Sequence, residues 1–358
     1  MSRIQGQVRI VGAGLLGTSL GLALRKLGVD VILSDTSRAS QALAIDYGAG
    51  REAAVGDDPA LIVVCVPPDH TAHVVAAELT AFPEAIVTDV ASIKQTVLEE
   101  LRSTGLDLKN YVGSHPMAGR ERGGAISGRA DLFIGRPWVV VPHETSTQRG
   151  VELITDLSLD VGSIPVNMEP VEHDHAVAAV SHVPQVVASL LAARLISTSS
   201  QEISLAGQGL RDTTRIAASD PALWVQILSA NASQVAPVLK DLAADLAKVI
   251  SALEDTHASG SLTTISKAIE AGNKGVERIP GKHGGRHTNY STVVVMIDDQ
   301  PGQLARLLNE VAQIGINLEE IKLEHSPGAQ IGLVELSVMP ASEEKLIADL
   351  TDRGWRFA

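Results

Sequence analysis

Gly12-Ala13-Gly14-Leu15-Leu16-Gly17, set between the apolar run Val8–Val11 and the helical pattern Thr18–Leu27, decides the fold of the first half of this 358-residue chain. Three glycines at this spacing let a strand turn tightly into a helix, bring backbone close to a pyrophosphate, and pack helix on strand. The first N–H groups of such a helix, with its dipole, favour an anion. Asp35 ends the next β-branched run, roughly 20 residues on, where a carboxylate takes up a ribose 2′-hydroxyl. Gly12, Gly14, Leu15, Leu16, Gly17 and Asp35 are therefore the expected dinucleotide-binding residues. Asp35 would repel a 2′-phosphate, which favours NAD over NADP, although Arg38 close by works in the other direction. Val66 and Pro67, at the end of a later run, complete the set.

Outward from the glycines, short β-branched runs alternate with helical patterns: Val31–Ser34, Leu61–Val66, Ala85–Val90, Tyr111–Ser114 and Trp138–Val141. Near-continuous apolar strands separated by helices predict a parallel sheet covered on both faces, a Rossmann-type α/β domain over residues 1–167. From Met168 the strand signals stop, and Ala/Val/Leu-rich helical stretches predict an all-α domain over 168–256. One such helix covers Val171–Leu195. Another starts at Asp220-Pro221, with Asp220 as cap and Pro221 in the first helical position. The small residues of this domain suit tight packing and a homodimer. Residues 257–289, rich in Gly, Ser, Lys and His, read as a linker. The remaining 290–358 show strands at Thr292–Ile297, Ile316–Glu324 and Ile331–Val338, helices at Gly302–Ile314 and Ser342–Thr351, and a short strand at Trp355–Phe357. The order βαββαβ is ferredoxin-like.

Composition narrows the function. A formal net charge of −13 argues against nucleic acid or an anionic membrane as partner, since both need a basic face. The lone Cys65 allows no intramolecular disulfide and fits a cytoplasmic location. The N-terminal stretch has no apolar signal core, and no apolar run is expected to reach membrane-span length. His173-Asp174-His175 invites a metal reading, but histidines at i and i+2 of a helix face apart, so no metal is expected.

Gly113-Ser114-His115-Pro116-Met117-Ala118-Gly119 follows a strand on the edge that carries ligands in open α/β sheets. A histidine between Gly, Pro and Gly in a polar turn is poorly placed as core filler. This stretch with Arg120-Glu121, then Ser181-His182-Val183-Pro184-Gln185, then Arg211-Asp212-Thr213-Thr214-Arg215 with Asp220-Pro221 and Trp224, resembles the prephenate and arogenate dehydrogenases across residues 8 to 250. The resemblance implies oxidative decarboxylation of prephenate with NAD, on the route to tyrosine. It implies His115 as acceptor of the substrate hydroxyl proton, an imidazole role. It points to Arg215 as the carboxylate partner, with Arg211 one helical turn earlier, and makes His182 a pocket residue. His182 is seven residues after His175, so both can face the same way. Ser92 follows another strand on the ligand edge and can bond the hydroxyl or His115. Trp224 packs the pocket wall, and Glu121 holds a loop or His182.

The C-terminal unit resembles an ACT domain, a small-molecule-sensing module, with Asp299-Gln300-Pro301-Gly302-Gln303-Leu304 in its first strand-to-helix turn and Gly315-Ile316-Asn317-Leu318 before its second strand. That implies tyrosine as effector, bound near Pro301, Gly302 and Asn317. Three alternatives stand beside this reading. An arogenate dehydrogenase would share the chemistry with an amino substrate. A Rossmann oxidoreductase such as a β-hydroxyacid dehydrogenase would need a catalytic Lys on the helical domain, where Lys240 and Lys248 come late. A non-catalytic sensor would keep only NAD and amino-acid binding.

Overall fold

The computed structural model describes residues 2–120, 123–279, 290–325 and 331–358. They form two compact units, Met1–Ala193 with Thr214–Asp241, and Arg194–Thr213 with Leu242–Ala358.

In the first unit β1 (Gln7–Val11), β2 (Val31–Ser34), β3 (Pro59–Val64) and β4 (Ile86–Asp89) form a parallel sheet in the order β2-β1-β3-β4. Between them run α1 (Leu15–Lys26), α2 (Arg38–Asp46) and α3 (Pro68–Ala81), and α4 (Gln95–Ser103) follows β4. Alternate residues of one strand serve opposite cores. Leu61 and Val63 join Val8, Ile10, Leu24 and Trp138, whereas Ile62 and Val64 join Val75, Leu98, Leu101 and Tyr111. Burial on both faces is why these strands read as unbroken apolar runs.

The sheet is not parallel throughout. β5 (Gly113–Pro116) runs antiparallel to β6 (Pro137–Val141), which pairs in parallel with β7 (Ile164–Asn167). A single bridge, Val87 to Tyr111, links β4 to the segment leading into β5. A buried apolar run looks the same in either direction, so Trp138–Val141 could not reveal its antiparallel pairing. β7 was absent from the sequence reading because Ile164-Pro165-Val166-Asn167 is short and holds a proline. Pro165 is tolerated because β7 is an edge strand.

After α5 (Gln148–Asp160) and β7 comes the helical region: α6 (Pro170–Val177), α7 (Val183–Arg194), α8 (Ser200–Ile203), α9 (Gln208–Thr214), α10 (Pro221–Ala230), α11 (Ala232–Glu254) and α12 (Ser261–Val276). The expected helix Val171–Leu195 is interrupted by a π turn over Ala178–His182, closed by the Val183 N–H on the Ala178 carbonyl. Pro184 has no N–H to continue the α ladder, and the turn before it widens. Contrary to expectation, the run Pro170–Ser197 is long and apolar enough by composition to cross a membrane. Its first turns, however, hold a buried His173 and Asp174 bonded into the nucleotide-domain sheet, as described below. Asp220 caps α10 as expected, its carboxylate accepting from the Ala222 N–H at 2.9 Å.

The expected linker 257–289 is corrected by α12, where Leu262, Ile265, Ile269 and Val276 recur at helical spacing among the glycines and serines. Its remaining part, 280–289, lies outside the described residues. In the second unit β8 (Ser291–Asp298), α13 (Gln303–Ile314), β9 (Glu320–His325), β10 (Ile331–Val338), α14 (Pro340–Asp352) and β11 (Arg356–Phe357) build an antiparallel sheet in the order β11-β8-β10-β9. Val293, Val295, Ile297, Val334, Leu336 and Val338 pack against Leu307, Val311, Leu346 and Leu350.

A Cβ on Gly17 would lie 1.9 Å from the Gly12 carbonyl oxygen, and that oxygen is held by the turn itself. Gly17→Ala is expected to destabilise the first unit by about 1–3 kcal/mol, the usual cost of overpacking, read as a lower urea midpoint with unchanged slope.

Candidate active site

The glycine loop is shaped to receive a dinucleotide. Gly12 adopts φ +106°, and a Cβ there would strike the Cys65 carbonyl at 2.4 Å. Gly14, by contrast, has nothing within 4 Å of where a Cβ would stand, so the loop's outer side is open to a ligand. Gly14 also caps α1 without any side-chain bond. The free N–H groups of that helix start are donors for a pyrophosphate. Asp35 accepts from the Ala13 N–H at 2.6 Å and the Ser37 N–H at 2.7 Å, fixing a carboxylate beside the loop. Arg38 is exposed in the first turn of α2.

A cavity of about 680 Å³ opens from this loop. Leu15, Leu16, Val66 and Pro67 line one part of it, and Ser92, His115, His182, Arg215 and Trp224 line another. Residues separated by more than a hundred positions are thus brought to one space, at the C-terminal ends of β1, β3 and β4. Arg211 is exposed on α9 within the second unit, as Pro301, Gly302 and Asn317 are in their turns. Glu121 lies outside the described residues.

His115 is 8% exposed and stands near the end of β5. Its Nδ1 meets Nε2 of His173 at 2.9 Å, with the rings edge to face, which leaves Nε2 for the cavity. His173 Nδ1 meets Asp174 Oδ1 at 2.8 Å. Asp174 also accepts the backbone N–H groups of Lys94 and Gln95, each at 2.9 Å, at the start of α4. His182, on the π turn, packs edge-on to Trp224, and its Nδ1 lies 3.1 Å from the Asn231 amide nitrogen. That same amide donates to the Asp174 carbonyl at 2.8 Å.

Burial lowers all three imidazoles. Desolvation holds His115 well below the usual imidazole value, assisted by the neighbouring His173, Lys94 and His182. His173 is lowered by burial against the opposing pull of Asp174. His182 is lowered by burial to about 4. The chain therefore carries these rings neutral at pH 7, and the native state loses stability as pH falls below about 6.5, where the unfolded histidines take up protons first.

Beneath the cavity Lys94 is buried with Asp89 in an ion pair. Lys94 Nζ also donates to the Ser114 carbonyl at 2.9 Å, and Tyr111 donates to Asp89 Oδ2 at 2.7 Å. This network braces β4, the start of α4 and β5; Ser92 stands in the connection from β4 to α4, and His115 is on β5.

Sequence reasoning missed four residues: His173, Asp174, Lys94 and Asn231. In sequence, His173-Asp174-His175 suggests only a metal reading, or Asp174 as a carboxylate for an amino substrate, and neither points to a bond with His115. Lys94 sits two residues after Ser92 and reads as an ordinary polar helix start. His175 is exposed, its Nδ1 3.4 Å from Gln234 Oε1, whereas His182 is buried, so only the second of the two lines the cavity. Arg120, quoted only as part of a motif, lines the cavity too.

A doubly wound sheet, an open glycine loop at a helix start and a buried histidine on the same cavity define a nucleotide-dependent dehydrogenase. The chain belongs to the prephenate dehydrogenase family: the family's nucleotide-binding domain matches residues 20–166 and its dimerization domain residues 169–267. NovF, a probable prephenate dehydrogenase of Streptomyces niveus, is 36% identical over 353 residues, 97% of this chain and 98% of its own length. The prephenate dehydrogenase of Bacillus subtilis is 24% identical over 96% of this chain and 95% of its own. The crystal structure of prephenate dehydrogenase from A. aeolicus, in complex with hydroxyphenyl propionate and NAD+, has a TM-score of 0.67 and 26% identity, covering 77% of this chain and all of that one.

Removing one partner of a buried ion pair leaves the other charge uncompensated. Lys94→Met is expected to cost about 3–5 kcal/mol in denaturant unfolding.

Proposed function

We propose that this chain is an NAD-dependent prephenate dehydrogenase, converting prephenate to 4-hydroxyphenylpyruvate with loss of CO2. The observation that carries the reading is one cavity lined by the start of α1, by His115 and by Arg215. NAD, when bound at the glycine loop, supplies the hydride acceptor. His115 then takes the proton of the substrate's 4-hydroxyl on the ring nitrogen that faces the cavity, as C4 becomes a carbonyl carbon. Breaking the bond from C1 to the ring carboxylate releases CO2 and returns its electron pair to the ring, which becomes aromatic as the proton held by His115 goes back to the C4 oxygen. Prephenate has two carboxylates, and Arg215 and Arg120 both line the cavity, each with a planar fork suited to a carboxylate. Ser92 and the donor on His182 orient the hydroxyl end, and Trp224 closes the wall against water.

Asp35 supports NAD over NADP, because its carboxylate stands where a 2′-phosphate would be repelled. We place the nucleotide-binding domain at 1–167, the helical domain from 168 and the regulatory domain at 290–358, in a cytoplasmic enzyme. A homodimer is supported by the dimerization-domain match and by exposed apolar residues such as Val180, Leu190, Val225 and Leu246. The C-terminal βαββαβ unit we read as an ACT domain that binds tyrosine at the turn Pro301-Gly302, where Gly302 has φ +91°, and at Asn317. Calorimetry with the full chain should then show tyrosine binding that Asn317→Ala weakens, and no heat of binding would remove the effector assignment.

The deciding measurement is NADH formation from prephenate and, separately, from arogenate. Turnover of prephenate with NAD is expected, and preference for arogenate would move the substrate assignment while leaving the fold in place. His115→Asn should lower kcat by at least about 100-fold with NAD binding retained. The groups that act on His115 are His173 from α6, His182 from the π turn and Lys94, with Asp174 and Asp89 bonded behind His173 and Lys94 and with Arg120 and Arg215 lining the same cavity. Because burial lowers the His115 pKa, its basic form persists below pH 6.5. The acid limb of kcat/KM should accordingly lie below the ordinary imidazole value, and a limb above it would remove His115 as the base.

A further inference from the structure

Two histidines line the cavity, and each has its Nδ1 tied to a different kind of partner. We propose that His173, Asp174 and Asn231 are positioning residues that hold the pair in opposite tautomers, His115 with a bare Nε2 and His182 with a protonated Nε2. The functional consequence rests on the reading of His115 as the proton acceptor.

The argument starts at Asp174. Its two oxygens accept the N–H groups of Lys94 and Gln95, and groups that can only donate require a carboxylate that accepts. The remaining bond to Oδ1 must therefore be donated by His173, from Nδ1. His173 is completely buried, and a neutral ring that is protonated at Nδ1 has a bare Nε2. The 2.9 Å bond from that Nε2 to His115 Nδ1 then needs its proton on His115. A neutral His115 protonated at Nδ1 has its lone pair on Nε2, the nitrogen left for the cavity.

His182 follows the opposite logic. Asn231 must present its NH2 group to the Asp174 carbonyl, since a carbonyl only accepts, and this fixes the orientation of the amide. The second amide hydrogen points to His182 Nδ1, which accepts it. His182 in its neutral form is then protonated at Nε2 and offers a donor. One side of the cavity takes a proton from a hydroxyl and the other gives a hydrogen bond to an oxygen, the complementary pair that an alcohol becoming a carbonyl requires. When His115 takes the proton it becomes a cation, and Asp174 behind His173 supplies the opposing charge. The same ordering of imidazole by a buried carboxylate is known from serine-protease triads, here with a second imidazole interposed.

The test is the ring nitrogen resonances of the full-length protein labelled with 15N-histidine, assigned with His115→Asn and His182→Asn. At pH 7.5 His115 should show an unprotonated Nε2 and a protonated Nδ1, and His182 the reverse. His115 protonated at Nε2, or both rings in the same tautomer, would overturn the proposal. His173→Leu should mix the His115 tautomers and lower kcat by about 10- to 100-fold, with KM within about twofold. His173→Gln, whose amide oxygen can accept from Nδ1–H, should recover the native tautomer and most of kcat. If His173→Leu is poorly folded, the wild-type spectrum and His173→Gln still decide the matter. Native tautomers without prephenate turnover would sink the reaction assigned above and leave the positioning intact. Turnover with the tautomers reversed would do the opposite.

Discussion

Asp174 holds the catalytic half of this molecule in register. It belongs to the helix that opens the helical region, yet its carboxylate is spent on the first N–H groups of α4 in the nucleotide-binding sheet. Those N–H groups have no partner within their own helix, and the positive end of its dipole favours a carboxylate there. A buried carboxylate satisfied in this way is costly to displace. The bond therefore joins α6 to the sheet edge, sets the position of His173, and through it sets His115. Asn231 adds a second clasp from the end of α10, bonded to the backbone of the same Asp174 and to His182.

Around that clasp the buried charged groups also come with partners. Lys94 and Asp89 are buried together with the Tyr111 hydroxyl and the Ser114 carbonyl. Burial raises the Tyr111 hydroxyl's pKa and lowers that of Lys94, and the network keeps each group hydrogen-bonded all the same.

The glycine loop was legible because its constraint is local. Gly12 and Gly17 fit only as glycine, and Gly14 leaves its outer side open, all within one turn of chain. His115 was legible from its setting between Gly113 and Gly119 and from resemblance. The helix α12 was not, because glycines and serines outweighed a stripe of Leu262, Ile265 and Ile269 that packing can use. The antiparallel pairing of β6 was hidden for a related reason, since direction leaves no trace in a buried apolar strand.

By itself, the sequence determined the parallel sheet, the nucleotide loop with Asp35, the helical character after Met168 and the βαββαβ order of the last domain. Each of these follows from periodicity or from backbone demands that neighbouring residues meet. Only the tertiary structure decided that His173 stands behind His115, that Asp174 is a clasp, that Lys94 is buried, and that His175 is exposed while His182 is not. These depend on hydrogen bonds and packing across tens of positions, and pairings at that separation have no period for a sequence to display.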